Sequence, residues 1–355
     1  MSSETQRKRL TVLAPVNAYT GYGLHAMQIA RDLDRMGVFT SIRPIRAEES
    51  FGAGIPMDIR MKFVNGVQPE DWELLLYPPN FVPTPGKKTA YFTMWESSRL
   101  PATGVPVLNR SEVVIVPCVW NATTFSASGV NVPIRVVPLG INTDVFTFRP
   151  LNPPYAVTGE RELYVFGAAG RLAHGGVRKG LNEVINLFQK AFPSEPDVRL
   201  RIKCYPDCPI TKRDDPRIDY TAAHLSEPQL ADWFASLNCF TSAARGEGWG
   251  LMQMQAMAIG RPLISVNFGG VAEFFKPGTG YPVDYRLEPS KHLYAGCGVW
   301  AEPVEESFIA AMRRAYTVRE EAFAFGAAAA DAVKQFSWEN SNRSLAGVLR
   351  EVGAL

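Results

Sequence analysis

The sequence predicts an α/β chain of two similar halves, each built on an open parallel sheet, with a cleft between them. Three observations carry this. Short apolar runs of strand length alternate with amphipathic helical stretches from Leu10 onward. The alternation stops at Arg149-Pro150-Leu151-Asn152-Pro153-Pro154, where prolines bar a continuous helix, and it restarts at Leu163. Each half also places glycine-rich turns between a strand and a helix, where open α/β sheets bind ligands. The predicted domains are residues 1–150 and 151–335, followed by a terminal helical segment, 336–355.

Composition agrees with this reading. A chain of 355 residues suits two domains with a core each. Apolar residues at 46% and charged residues at 20% describe a globular protein in water. A net charge of +2 argues against a nucleic-acid binder held by bulk charge. No apolar run reaches membrane-spanning length, so integral membrane association is not expected. The five cysteines (118, 204, 208, 239 and 297) are scattered and read as reduced thiols of a cytoplasmic protein. Cys204 and Cys208 lack a second Cys/His pair at zinc spacing, so no metal is expected.

In the first half, residues 10–16 form a strand and Asn17 to Gly23 a flexible turn. Leu24, Met27, Ala30, Leu33 and Met36 recur at helical spacing, Gly37 stops that helix, and 38–42 is the next strand. Gly21 and Gly23 give half of a dinucleotide fingerprint, but the third glycine and the acid after the second strand are missing, which counts against NAD. The turn is read as a place where backbone approaches a ligand. Further strands are 74–77, 89–94, 113–116 and 134–137. Glu96 follows the second of these and is read either as an acceptor-side carboxylate or as a cap for the next segment. Acceptor recognition is expected in first-half loops such as 46–65, where no motif is readable.

The second half opens with a strand, 163–166, then Gly167-Ala168-Ala169-Gly170-Arg171, then a loop to Lys179-Gly180 that also holds His174 and Arg178. Glycines admit close backbone approach, and Arg171 and Lys179 can neutralise a diphosphate, one as a fork and the other as a point charge. Helix 181–192, strands 198–204 and 217–220, helix 227–237 and strand 238–242 follow. Then comes the most informative stretch: Glu247-Gly248-Trp249-Gly250-Leu251, a helix carrying Gln255, a stop at Gly260 and a strand at 262–266. Unpaired N–H groups and the positive dipole end at a helix start suit a phosphate, and Glu247 and Gln255 can address hydroxyls of the same ligand. Gly269-Gly270 makes a second glycine turn before a helix from Val271. Helices at 304–335 and an amphipathic helix at 340–352 end the chain.

With these motifs placed, nearly the whole chain resembles the retaining GT-B glycosyltransferases of family 4 (glycosyl transferases group 1), which include bacterial mannosyl- and glucosyltransferases. The similarity is strongest from Phe166 to Phe275. It rests on Gly170-Arg171 with Lys179-Gly180, on Glu247-Gly-Trp-Gly-Leu251 with Gln255-Ala-Met-Ala-Ile-Gly260-Arg-Pro262, and on Gly269-Gly270-Val-Ala-Glu273. Residues 136–146 are similar to the family's segment before its interdomain linker. The resemblance implies the GT-B fold: two Rossmann-like domains with parallel sheets facing across a cleft, the last helix returning to the first domain. It implies that Arg171 and Lys179 hold the donor diphosphate and that Glu247 binds a hydroxyl of the donor sugar. Gly248, Trp249, Gly250 and Leu251 would meet sugar and phosphate through backbone, and Gly21 and Gly23 would close over the diphosphate.

Two departures stand out. Gln255 occupies the position of the family's second glutamate, which grips the ribose; a carboxamide offers one acceptor and one donor where a carboxylate accepts twice. Trp95-Glu96 stands where many members place a histidine. The implied reaction is sugar transfer from a nucleotide diphosphate sugar to an acceptor hydroxyl with retention, without metal or cofactor. Trp95-Glu-Ser-Ser-Arg-Leu-Pro101 resembles phage-associated members, so a modified DNA base stands beside a glycan and a small molecule as acceptor. The alternatives are a catalytically weak nucleotide-sugar-binding module and another GT-B enzyme, an epimerase or phosphorylase.

Overall fold

The computed structural model describes residues 8–17, 19–45, 54–151, 163–171 and 177–355. His174, residues 46–53 of the expected acceptor loop and prolines 153 and 154 lie outside these residues. The chain divides into two compact units. The first comprises Met1–Trp95, Arg99–Gly140 and Phe336–Leu355, and the second Glu96–Ser98 and Ile141–Gln335. The division therefore falls at Gly140, earlier than the prolines suggested. Among the described residues, no helix is long and apolar enough to cross a membrane.

The first unit is a six-stranded parallel sheet. Its elements are β1 (Arg9–Ala14), α1 (Gly21–Arg35), β2 (Phe39–Pro44), α2 (Met57–Arg60), β3 (Trp72–Leu76), β4 (Lys88–Phe92), α3 (Gly104–Leu108), β5 (Val113–Val116), α4 (Val119–Ala127) and β6 (Ile134–Val136). The strand order is β2-β1-β3-β4-β5-β6, with every pairing parallel. The chain thus reverses its direction of winding between β1 and β3, leaving the loop after β1 at a topological switch point. β3 and β5 are buried along their whole length, as strands covered on both faces must be.

The turn expected at 17–23 is shorter than the sequence suggested, because α1 starts at Gly21. Asn17 Oδ1 accepts from Thr20 N at 2.8 Å, and Thr20 Oγ1 accepts from Gly23 N at 3.2 Å. Thr20 is therefore the N-cap, and both glycines belong to the first helical turn. Gly23 is required there: a Cβ would lie 2.2 Å from the Asn17 carbonyl oxygen.

The second unit repeats the plan. It contains β7 (Tyr164–Ala169), a 3-10 turn (Val177–Lys179), α5 (Leu181–Ala191), β8 (Val198–Cys204), β9 (Ile218–Ala222), α6 (Glu227–Ala235), β10 (Cys239–Ser242), α7 (Leu251–Ala258), β11 (Leu263–Val266), a 3-10 turn (Gly269–Glu273), β12 (Gly280–Val283), β13 (Tyr285–Pro289), β14 (Val299–Pro303), α8 (Glu305–Thr317) and α9 (Arg319–Val333). The parallel order is β12-β11-β10-β7-β8-β9, and β13 pairs antiparallel with β14. Along β8, Val198, Leu200, Ile202 and Cys204 enter a core shared with Phe166, Val184, Phe188 and Met312. Arg199, Arg201 and Lys203 take the other face, as the two-residue period of a strand requires. Residues 271–273 are a 3-10 turn, not the helix expected there.

The last helix, α10 (Trp338–Glu351), belongs to the first unit. Ser337 caps it, and Asn342 Nδ2 donates to Asp32 Oδ2 of α1 at 2.7 Å. Trp338 stacks on His25 of α1 with ring centroids 5.2 Å apart.

Candidate functional site

In the second unit the winding reverses between β7 and β10, so the loops after these two strands diverge and open a crevice at their carboxyl ends. The loop after β7 carries Gly170 and Arg171. The loop after β10 runs from Ala243 to Gly250 and is buried throughout. Gly250 closes it in the left-handed region at φ 105°, which lets the chain turn directly into α7. The Lys179 side chain borders the crevice: a Cβ on Gly170 would sit 3.5 Å from Lys179 Cβ.

A charge cluster occupies this crevice. Lys179 Nζ donates to both oxygens of Glu247, at 2.6 and 2.8 Å. Arg178 Nη1 donates to Glu247 Oε2 at 3.2 Å and to the Gly246 carbonyl at 2.7 Å. Glu247 is 7% exposed. Burial alone would push its carboxyl up, but the charges of Lys179 and Arg178 outweigh that and hold it below the usual value. Burial, with Arg178 adjacent, lowers the Lys179 ammonium despite its bond to Glu247. Burial also opposes the Arg178 charge, yet Glu96, Tyr294 and Glu247 together raise its pKa.

The turn that presents both cations is itself held. Arg245 bonds Glu302 at 2.5 and 2.6 Å and Glu183 at 3.0 Å. Its Nη1 donates to the Val177 carbonyl, and its backbone N donates to the Arg178 carbonyl at 2.8 Å. Gly180, at φ 62°, packs on Ala243: a Cβ would lie 2.3 Å from the Ala243 carbonyl oxygen. The cations and the Glu247 loop are thus fixed to each other through backbone as well as side chains.

Glu96 differs most from the sequence reading. It lies with the second unit, not with acceptor-side loops of the first. Its Oε2 accepts from Tyr294 Oη at 2.9 Å, and its Oε1 is 3.9 Å from Arg178 Nη2. Gly246 passes so close that a Cβ would be 2.0 Å from the Glu96 carbonyl oxygen. The structure therefore brings Glu96, Lys179 and Glu247 into one cluster. Arg171 is half exposed; it faces Asp207 at 3.8 Å and the Tyr205 ring at 5.6 Å.

Gly248, Trp249 and Leu251 lie at the start of α7, with the Trp249 ring buried 5.5 Å from Phe274. Gly269 and Gly270 support that loop from behind, and Gly270 N donates to the Glu247 carbonyl at 2.8 Å. Gln255 is buried within α7, and its Oε1 accepts no hydrogen bond from the described residues. Among the described residues, no group of three or more His, Cys, Asp or Glu side chains is placed to hold a metal.

Sequence reasoning gave no role to Tyr294, Arg245 or Lys203. Tyr294 sits on the β13–β14 loop, after a strand, β13, that is mostly exposed and lacks an apolar period. Arg245 precedes the Glu247 motif by only two residues, but nothing local marks its distant carboxylate partners. Lys203 continues the Arg199, Arg201 alternation on β8, and that period was the available signal.

Residues 164–315 match the family model described as glycosyl transferases group 1. No curated protein matches the chain in sequence. Among solved structures it is similar to sucrose-phosphate synthase from Thermosynechococcus elongatus, at 14% identity and a TM-score of 0.71, over 98% of this chain and 100% of that one. It is similar to HepE of Anabaena in complex with UDP-glucose, at 13% identity and a TM-score of 0.67, over 97% of this chain and 100% of that one. It is also similar to trehalose-6-phosphate synthase, at 12% identity and a TM-score of 0.65, over 97% and 99% of the two chains. The fold is GT-B, with two parallel sheets of Rossmann-like type.

Proposed function

We propose that this chain, a glycosyltransferase through its group 1 domain at residues 164–315, moves a hexosyl group from a nucleotide diphosphate sugar to an acceptor hydroxyl, with retention and without a metal ion. The observation that carries the reading is the Lys179–Glu247 pair at 2.6 Å beside the start of α7. A buried carboxylate that also accepts sugar hydroxyls fixes the donor sugar, and an ammonium on the same carboxylate meets the departing diphosphate. Arg178 adds a second positive charge, and Arg171 a third at the rim. The backbone N–H groups at the start of α7, from Gly250 and Leu251, add a fixed dipole.

In the reaction, the bond between the anomeric carbon and the phosphate oxygen breaks. A bond from that carbon to the acceptor oxygen forms on the same face, and the acceptor proton passes to the leaving phosphate. The protein's part is electrostatic preorganisation around the diphosphate and the oxocarbenium-like sugar. Lys179 and Arg178 supply charge that other enzymes draw from a metal, so chelators leave the rate unchanged. HepE is bound to UDP-glucose in its structure, which makes UDP-sugars the first donors to try. The acceptor is a glycan, a small molecule or a modified DNA base.

Turnover of UDP-, GDP-, ADP- and TDP-sugars with pooled acceptors, scored as released nucleotide diphosphate, tests the reading. Release from one donor, lost in Glu247→Ala and in Lys179→Ala, supports it. No release and no binding of any donor overturns it. Gln255, in place of a carboxylate, favours a second reading: a nucleotide-sugar-binding module of weak catalysis. Detectable sugar transfer by the wild type eliminates that reading.

A further inference from the structure

Glu247 is gripped by two cations that are not held equally. Among the described residues, Lys179 Nζ pairs with Glu247 alone. Arg178 is tied on every side: to Glu247, to the Gly246 carbonyl, beside Glu96 and 5.7 Å over the ring of Tyr294. Tyr294 in turn donates to Glu96 at 2.9 Å.

The β13–β14 loop that carries Tyr294 also fixes the segment that carries Glu96. Ser98 N donates to the Val299 carbonyl at 3.0 Å, and Val299 N donates to Ser98 Oγ at 2.8 Å. Ser97 Oγ, fully buried, lies 2.5 Å from Ser290 Oγ and donates to the Cys297 carbonyl at 2.5 Å. A segment clamped at three points on a hairpin loop gives Glu96 a fixed position from which to balance the Arg178 charge.

We infer that Tyr294, acting with Glu96, is a positioning residue that keeps Arg178 on Glu247 when Lys179 turns to the donor diphosphate. The inference rests on the donor-site reading above. A diphosphate attracts both cations. If both left, Glu247 would remain as a buried carboxylate without a counter-charge, which is strongly unfavourable. Arg178 stays because Glu96 opposes the pull and its fork is already bonded to Gly246. Among the described residues, the Lys179 ammonium hydrogen-bonds to Glu247 and to no second group. Glu247 then keeps its orientation toward the sugar while the phosphate gains a counter-charge. Tyr294 and Glu96 accordingly govern recognition of the sugar, and Lys179 governs recognition of the diphosphate.

Calorimetric affinities separate these roles. The ligands are UDP and UDP-glucose, or the corresponding GDP, ADP or TDP pair if that is the one the wild type binds. Tyr294→Phe is expected to leave nucleotide diphosphate affinity within about twofold and to weaken the nucleotide sugar about tenfold, with Lys179→Ala weakening both. Glu96→Gln keeps an acceptor for the Tyr294 hydroxyl but removes the charge facing Arg178. It is expected to show the same split, and it stands in if the tyrosine variant fails to fold. Equal loss for both ligands in either variant, or no loss in both, overturns the inference. A wild type that binds none of the nucleotides or their sugars overturns the donor site itself, a result distinct from binding without the split.

Discussion

Gly270 lies against the backbone of Gly248: a Cβ built at Gly270 would be 2.4 Å from the Gly248 carbonyl oxygen and 2.4 Å from the Trp249 Cα. Both atoms belong to the main chain, so no side chain can rotate away. Gly269 must take φ 70°, where its own Cβ would meet the Glu247 carbonyl oxygen at 2.7 Å. The glycine pair is a seat for the Glu247 loop. Gly270→Ala is expected to destabilise the protein by about 1–3 kcal/mol, as overpacking does, and to reduce donor binding with it. Gly347 is the control: it lies inside α10 with nothing within 4 Å of a built Cβ. Gly347→Ala is expected to stabilise by about 0.5–1 kcal/mol through the unfolded chain, with binding unchanged. Thermal melts and calorimetry on both variants check the pair of outcomes.

His25 makes the first unit sensitive to acid. Its ring is buried between Phe92, at 4.6 Å edge-on, and Trp338, and neither nitrogen has a hydrogen-bond partner among the described residues. Burial lowers its pKa from 6.5 to about 3. The unfolded chain therefore binds a proton below pH 6.5 that the folded chain refuses down to about pH 3. Stability is full above that window and falls as pH drops through it, by up to about 1.4 kcal/mol per unit from this group. His25→Phe keeps an aromatic ring on Trp338 and is expected to flatten the loss. Urea unfolding at pH 7.5 and pH 5 reads it; a slope equal to wild type removes His25 as the cause.

The local signals were legible because they are covalent or steric. Gly250, Gly260 and Gly269 all take positive φ, so their spacing in sequence marks turns whatever the rest of the chain does. The apolar run of β5 and the two-residue alternation of β8 mark strands for the same reason. Contacts of high separation leave no such trace. The Tyr294–Glu96 bond joins residues 198 apart, and β13 pairs with β14 through backbone while its own side chains stay largely in solvent. Arg178 reads in sequence as one more basic residue of the loop that leads to Lys179; the fold places its guanidinium between two carboxylates.

Lys203 carries a charge that the fold does not balance. It is 7% exposed, its ammonium lies 4.5 Å over the Tyr205 ring, and among the described residues that ammonium has no ion pair or hydrogen bond. Burial lowers its pKa. For a base with a lowered folded pKa, the penalty is complete below that pKa and disappears as pH rises through it. Lys203→Met keeps the stem on Tyr205 and removes the charge. The urea midpoint is expected to rise at pH 7, with the gain shrinking as the pH is raised toward 10. A midpoint that falls instead would mean that the cation–π contact outweighs the burial cost.

Gln255 sits in α7 eight residues after Glu247, where a carboxylate would accept from two ribose hydroxyls at once. Its buried amide oxygen accepts nothing from the described residues, so it remains available to one hydroxyl. Gln255→Glu supplies the second acceptor as well as a negative charge. That charge is buried at a site 3% exposed with no described cation bonded to it, so the ligand-free variant is expected to be less stable. With a nucleotide sugar bound, two charge-assisted hydrogen bonds replace one neutral one, a gain of about 1 kcal/mol, or roughly fivefold in affinity. The two effects separate on one sample. The melting temperature falls without ligand, and the ligand-induced shift widens. A fall in both would show that the helix around Gln255 tolerates the amide only, and that the ribose is held elsewhere.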